Sequence, residues 1–420
     1  MSADPCTTSR SLLSLEEAQT HVRAFVTPIA GVERVPLAAA TGRVLAQPVK
    51  AAVPLPVFDN AAVDGYAVTT RTLGDRSPPF ALPLLNRIVA GESAPDITPA
   101  TGTVRIFTGA AMPAGFDAVV MQEHCRALPD RVIVTVQPTP GLNVRYRGED
   151  VASGDDLLAA GVRLDARHVA LAAAVGLPEL WVQRRLRAAV FSTGNELRAA
   201  GSPLPPDAIF DSNRPMVASL LCAACAAVTD LGILPDDPHR LASVVREAGQ
   251  EHDLIVSTGA VSVGDEDHVG RLIASECRRR ERLWMAIKPG KPAMLGEIGS
   301  AVWLALPGNA FAAFVAFLVL GRPAVQALTG QGPVAAPFGG PARAAFQWQR
   351  KTGRDEFFPV RHVGHDADGL PLVEKLGRGG SARLRPLVEG DGVAMVAADV
   401  AHVVPGARLT YLTFAGALCP

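Results

Sequence analysis

The chain is poor in aromatic residues, in cysteine and in net charge, and each shortage excludes something. Phe, Trp and Tyr make up 5% of its 420 residues. So few rings, not interleaved with the basic runs, exclude a stacking platform for single-stranded nucleic acid. Forty Lys and Arg stand against 41 Asp and Glu, a formal net charge of −1. No overall field therefore draws the protein to nucleic acid or to an anionic membrane. The local runs Arg184-Arg185-Leu186-Arg187 and Arg278-Arg279-Arg280-Glu281-Arg282 read as solvated faces. Six cysteines without a dense spacing pattern make no disulfide framework and fit a reducing cytosol. Cys222 and Cys225 form a C-x-x-C, but in an apolar stretch with no second pair or nearby His; they read as two small buried side chains one helical turn apart. His362 and His365, flanked by glycine in a β context, do not read as a metal site. The longest apolar run, Ala310 to Leu320, falls short of the ~20 residues of a membrane span and reads as a buried helix. The first ten residues lack the apolar core of a signal peptide. A soluble, cytoplasmic protein is expected, with neither nucleic acid nor membrane among its partners.

What the chain does have is punctuation. Its length predicts two to four domains. Ser14 followed by Glu17 is a capping box, so a helix starts there and runs to about Val26. Pro54-Leu55-Pro56 breaks the chain. Short alternating runs separated by Gly and Pro follow, such as Val104 to Phe107 and Arg131 to Val136, and predict a mostly β module. Helix and short strand return from Arg145 to Arg187, parallel α/β units occupy 188–330, and a linker-like stretch after Gly330 leads into a small β-barrel or sandwich. The expected fold class is multidomain α/β plus β.

The α/β third carries the chemistry. Three apolar runs stop at small polar residues and glycine: Ala188 to Leu197, Asp253 to Gly264, and Val302 to Ala310. Such loops aim backbone N–H groups beyond the strand ends of a parallel sheet, where ligands bind. Ser192, Thr193 and the Gly194 backbone suit phosphate oxygens. Glu196 places a carboxylate beside them, either for a divalent metal or merely to open a helix. Ser212 or Asn213 reads as a helix cap. Asp236 and Asp237 end a strand as paired carboxylates. In the second loop Gly259 and Gly264 bracket N–H groups, Ser257, Thr258 and Ser262 add hydroxyls, and Asp267 sits near the next helix start. Acids beside a phosphate cradle imply an intervening cation. Ile287-Lys288-Pro289-Gly290-Lys291-Pro292 sets two ammonium groups between two prolines, a clamp for a small oxyanion. Pro307-Gly308-Asn309 closes another rigid turn.

Seven motifs occur in order: F-D-N-x-A-x-D-G-Y-A from Phe58, T-G-A-x-x-P-x-G-x-D-A-V-V-x-x-E from Thr108, R-x-x-G-E-D from Arg145, T-G-x-E-L from Thr193, G-x-V-S-V-G-x-x-D from Gly259, I-K-P-G-K-P from Ile287 and L-P-G-N from Leu306. In these the chain resembles the molybdopterin molybdenumtransferase family, which includes the C-terminal domain of gephyrin. The resemblance spans essentially the whole chain. It implies an elongated linker domain (1–53 and 145–187), an inserted small β domain (54–144), a central parallel α/β molybdopterin-binding domain (188–330) and a C-terminal β-barrel (331–420). It implies a homodimer with a composite active site, to which Asp59 and Thr108 come from the partner subunit. The implied reaction consumes adenylylated molybdopterin and molybdate and yields molybdenum cofactor and AMP, with Mg²⁺. Lys288 and Lys291 with Pro307, Gly308 and Asn309 would take molybdate, with Arg354 and Ser381 touching the anion. Thr193, Gly194, Thr258, Gly259, Ser262 and Gly264 would cradle the phosphates. Asp236, Asp267 and Glu196 would hold Mg²⁺. The adenylylating enzyme and recipient molybdoenzymes are implied as possible partners.

Two departures stand out. The family's L-P-G-N-P has Ala310 at its last position here, and S-G-G-V-S-V-G has Ala260 for a glycine, whose backbone freedom alanine lacks. Two other functions compete with molybdate insertion: adenylylation of molybdopterin, done by proteins similar to the α/β domain alone, and a non-catalytic cofactor carrier or scaffold.

Overall fold

The structure, a computed structural model, describes residues 12–94, 96–97, 99, 102–224, 226–259, 267–332 and 339–415. Its centre is a six-stranded sheet in the order Ala227–Leu234, Arg187–Thr193, Leu254–Thr258, Ala301–Leu306, Pro292–Ile298, Arg279–Trp284. The first four strands are parallel. Their side chains are apolar on both faces because helices cover both. Ala188, Val190, Val256 and Leu304 pack with the helices Leu15–Phe25, Asn213–Ala223 and Ala310–Ala316 on one side. Ala189, Phe191, Ile255 and Trp303 pack with Pro238–Glu251 and His268–Glu276 on the other. The last two strands are antiparallel, so the sheet is mixed rather than wholly parallel. The turn Gly299-Ser300 is too short for the crossover a parallel partner requires.

The segments before and after residues 54–144 are stitched together by Val32–Pro36 pairing antiparallel with Glu179–Gln183. Between them lies a second six-stranded sheet: Ala118–Met121, Gly65–Val68, Thr103–Ile106, Phe80–Ile88, Arg131–Val134, Cys125–Ala127. Near the C-terminus, Gly340–Ala344, Asp355–His365, Pro371–Lys375, Gly392–Val396 and Arg408–Thr413 close into a five-stranded barrel, because Asp355–His365 pairs with Gly392–Val396. One further pairing fixes the site. Ile287–Lys288, from the α/β region, runs parallel to the barrel strand with Lys288 opposite Glu356.

Local readings fare unevenly. The Ser14 capping box is present, and its helix runs Leu15–Phe25. After Glu196 there is no helix but a short strand, Leu197–Arg198, paired with Ile209–Phe210; Glu196 therefore does not serve a helix dipole. Neither Ser212 nor Asn213 caps the helix Asn213–Ala223 by its side chain. Asp211 does the work, accepting from the Arg214 N–H at 3.2 Å. Cys222 is exposed, not buried, because it lies off the face of this helix that buries Val217, Leu220 and Leu221; Cys225 lies outside the described residues. The basic runs are not simply solvated. Arg184 pairs with the buried Asp253 at 2.7 Å, and Arg279 donates to Phe25 O with its guanidinium 4.4 Å from the Phe25 ring centroid. The apolar helix is longer than its first run: helical turns continue from Ala310 to Leu328, 19 residues that by length and composition could cross a membrane. They are mostly buried inside the protein, as core.

Candidate functional site

A cleft of about 510 Å³ opens between the α/β core and the barrel. Lys288, Lys291, Pro307, Gly308, Asn309, Arg354 and Ser381 all line it. The parallel pairing of Ile287–Lys288 with the barrel strand carries the first lysine there. The second follows across Pro289 and Gly290, the latter at φ 109°, a backbone state that a side chain would strain. Asn309 begins the helix Ala310–Ala316 without using its amide as a cap, so the amide is available to a ligand. The barrel loop is tied to this helix start by Ala312 N–H donating to Ser381 O at 3.1 Å. The Pro307-Gly308-Asn309 turn is steadied by Asn213 Nδ2, which donates to Gly308 O at 2.5 Å. With Lys375 and Arg383 also in the lining and Glu356 as its single carboxylate among the described residues, the cleft is positive. Burial, foremost, and the neighbouring Lys288 push the Lys375 ammonium below its usual pKa, with Glu356 pulling the other way.

Glu356, Arg350 and Lys375 escaped sequence reasoning. Glu356 Oε1 lies 2.8 Å from Lys288 Nζ and Oε2 lies 3.1 Å from Arg350 Nε. The Arg350 side chain is 2% exposed and also donates to Ala397 O at 2.9 Å. A charged residue inside the buried run Glu356 to Val360 was the available signal, since buried carboxylates require partners.

At the strand tips the arrangement differs from the expectation for Thr258. Its hydroxyl is not a donor to a ligand: Thr258 is 1% exposed, and its Oγ1 lies 2.7 Å from Ser192 Oγ, which donates on to Asp211 Oδ1 at 3.1 Å. Ser257 likewise accepts from Trp303 Nε1 at 2.9 Å. Strand alternation puts these hydroxyls inside the sheet layers rather than beyond its edge. Thr193 is different, because its buried Oγ1 has no partner among the described residues. Gly259 lies over it at φ 101°, and a Cβ there would stand 2.4 Å from Thr193 O. Ser262, Gly264 and Ala260 lie outside the described residues.

The three expected metal carboxylates are not equivalent. Glu196 folds over Gly194, where a Cβ would meet its Oε2 at 2.5 Å. Asp236 Oδ2 accepts from Asn195 N–H at 3.2 Å. These two therefore bracket one short loop. Asp267 is engaged elsewhere: it caps the helix His268–Glu276 through Gly270 N–H at 2.7 Å and pairs with Arg282 at 3.2 Å. Among the described residues no three His, Cys, Asp or Glu gather as a metal cage, so those residues present no closed three-carboxylate site. Two carboxylates beside a glycine-bearing loop have the donor chemistry of Mg²⁺ sites, which usually use one or two carboxylates.

Asp59 and Thr108 are exposed and sit on adjoining loops, held by Met112 N–H donating to Asp59 O and Gly109 N–H to Ala61 O. Asp59 Oδ1 accepts from Arg147 N–H at 2.7 Å. Asp64 Oδ1 accepts from Thr108 N–H at 2.8 Å and Oγ1 at 2.7 Å, which holds its carboxyl below the ordinary range. No described residue of 54–144 lines the cleft.

Three family profiles cover most of the chain: the MoeA N-terminal region (domain I and II) over 13–176, a probable molybdopterin binding domain over 189–327, and the MoeA C-terminal region (domain IV) over 341–414. A molybdopterin molybdenumtransferase of Haemophilus influenzae is 34% identical over 82% of this chain and 85% of its own. A molybdopterin molybdenumtransferase 2 of Mycobacterium tuberculosis is 34% identical over 89% and 93%. A molybdopterin biosynthesis MoeA protein of Pyrococcus horikoshii superposes with a TM-score of 0.79 at 25% identity, covering 96% of this chain and 100% of its own. By its domain order, its barrel-capped α/β core and these matches, the chain belongs to the molybdopterin molybdenumtransferase family.

Proposed function

We propose that this protein is a transferase of molybdenum cofactor biosynthesis that inserts molybdate into adenylylated molybdopterin and releases AMP. The observation that carries this reading is the convergence of Lys288, Lys291, Arg354, Ser381 and the Pro307–Asn309 turn on one cleft. Molybdate is a tetrahedral dianion, and rigidly held ammonium and guanidinium groups in a partly desolvated cleft oppose its charge more strongly than in water. Thr193, Gly194 and Gly259, the last next to Gly308 of the cleft, would lie under the phosphates of the second substrate. Glu196 and Asp236 would hold Mg²⁺, which when bound polarises phosphorus and stabilises the AMP leaving group. Asp267 orients Arg282 and the start of its helix. Asp59 and Thr108 would complete the site from the partner subunit of a homodimer; their exposure and their distance in sequence from the cleft support that assignment. It would act in the cytoplasm, with molybdoenzymes as recipients.

The test supplies adenylylated molybdopterin, Mg²⁺ and molybdate and follows AMP. Release that rises with molybdate supports insertion. ATP consumption with bare molybdopterin, and no molybdate dependence of AMP release, overturns it.

A further inference from the structure

A second concentration of positive charge lies away from the cleft, between the stitched segments and the α/β core. A small cavity of about 40 Å³ is lined by Arg43, Arg163, Arg184, Arg185 and Arg322, with Gln326 beside them. Among the described residues that line it there is no Asp or Glu, and none is shared with the cleft. Two of these cations are already answered: Arg43 pairs with Glu33, and Arg184 with Asp253. Arg163 donates to Ala223 O at 3.1 Å. Arg185 is exposed to solvent, which leaves Arg322. It is half-buried in the continuous helix, and no hydrogen bond or ion pair joins it to a described residue. Burial, and then repulsion from Arg163, push it below the ordinary arginine pKa. A guanidinium does not shed its proton in proteins. Its desolvation and its like-charged neighbour therefore remain a cost unless an anion enters.

We propose that this cavity binds a small tetrahedral oxyanion of the phosphate class, seated between Arg322 and Arg163. The space admits one such ion and excludes a nucleotide. The anion links a segment on the linker side, at Arg163, to the α/β helix bearing Arg322, so occupancy stabilises the native arrangement of the two.

The experiment is thermal unfolding of the full chain at constant ionic strength, with chloride replaced stepwise by inorganic phosphate. A ligand bound only by the native state raises Tm with concentration. The wild type is expected to gain several degrees. Arg322→Met is expected to gain none, and in chloride to melt at or above the wild type because an unpaired charge has gone. The double variant Lys288→Ala with Lys291→Ala keeps the gain, which separates this cavity from the cleft. Should Arg322→Met fail to fold, Arg163→Met takes its place. Parallel titration with molybdate identifies the preferred occupant, and an Arg322-dependent rise with either ion supports the site. A full gain in Arg322→Met, or its loss in the lysine double variant, overturns the proposal.

Discussion

Glu356 grips Lys288 at 2.8 Å with one oxygen and faces the buried Arg350 at 3.1 Å with the other. The first lysine of the clamp is thus aimed from the barrel, across the parallel pairing of Lys288 with Glu356. Because Lys288 is half exposed and Arg350 is not, the two halves of this relay differ in strength. The outer pair is weak and exchangeable, whereas the inner one cannot be broken without stranding a charge.

Glu356→Gln tests that asymmetry. The amide keeps one acceptor oxygen, so it can meet only one of the two cations, and it no longer neutralises Arg350. We expect a loss of about 1–3 kcal/mol in urea unfolding, the cost of weakening a buried charged hydrogen bond. We also expect a changed KM for molybdate, since Lys288 loses its aim. Unaltered stability would show that Arg350 is satisfied by its carbonyl partners alone.

Lys291→Ala should raise the KM for molybdate about 10–100-fold, as expected from losing a charge-assisted contact of about 1.5–3 kcal/mol. The Lys291 ammonium lies 5.4 Å from the Trp284 ring centroid, which locates it without spending its charge on a carboxylate. Steady-state AMP release against molybdate concentration checks this. An unchanged KM would move the anion site elsewhere.

The two rigid clamps were legible because proline and glycine announce themselves within a few adjacent residues. The barrel contacts were not. Arg354 and Ser381 came only from the family pattern, since a loop 27 positions away gives no local sign that it closes on the same cleft. Thr258 misled because a hydroxyl at a strand end reads as a donor, while the pleat and the Ser192–Asp211 chain turn it inward. Cys222 misled for the opposite reason: Ala, Leu and Cys on every side of the helix leave its phase undefined. Asp267 was correctly placed beside a helix start, but the Arg282 partner 15 residues on could be seen only in the folded sheet.

Asp253 should contribute to acid stability at the base of the sheet. Burial alone would raise its pKa, but hydrogen bonds from Arg184 and Arg187 outweigh this and hold it below the ordinary 3.8. A carboxyl depressed in the native state leaves the unfolded chain binding more protons, so stability rises with pH across the interval between the two values. Its contribution is complete above about 3.8 and disappears as pH falls through the native value. Asp253→Asn should be destabilised at neutral pH and should show a shallower fall on acidification. Urea midpoints from pH 7 to 2 check this; parallel curves for both proteins would remove Asp253 from the account.

Thiol chemistry should separate the cysteines. Cys222 is exposed, whereas Cys277 is buried and its thiol is pushed up to about 11 by burial first of all. Only a thiolate attacks, so at pH 7.5 Cys277 should alkylate far more slowly than Cys222. Iodoacetamide labelling followed by peptide mass spectrometry reads both rates. Equal labelling of the native protein would mean that the helix His268–Glu276, which precedes Cys277, opens readily.

The proposed composite site makes a prediction that no single-chain defect shares. If Asp59 of one subunit serves the Glu196 and Asp236 loop of the other, then Asp59→Ala and Asp236→Ala homodimers should both be inactive. Mixed dimers carry one site with both lesions and one with neither. Co-refolding equal amounts of the two variants should therefore restore AMP release to about one quarter of wild type, because half of the dimers are mixed and each has one intact site of two. Each carboxylate makes its bond within its own chain, Asp59 to Arg147 N–H and Asp236 to Asn195 N–H. No recovery, with mixed dimers confirmed by differential tagging, would place both residues in the same subunit's site and abolish the shared cleft.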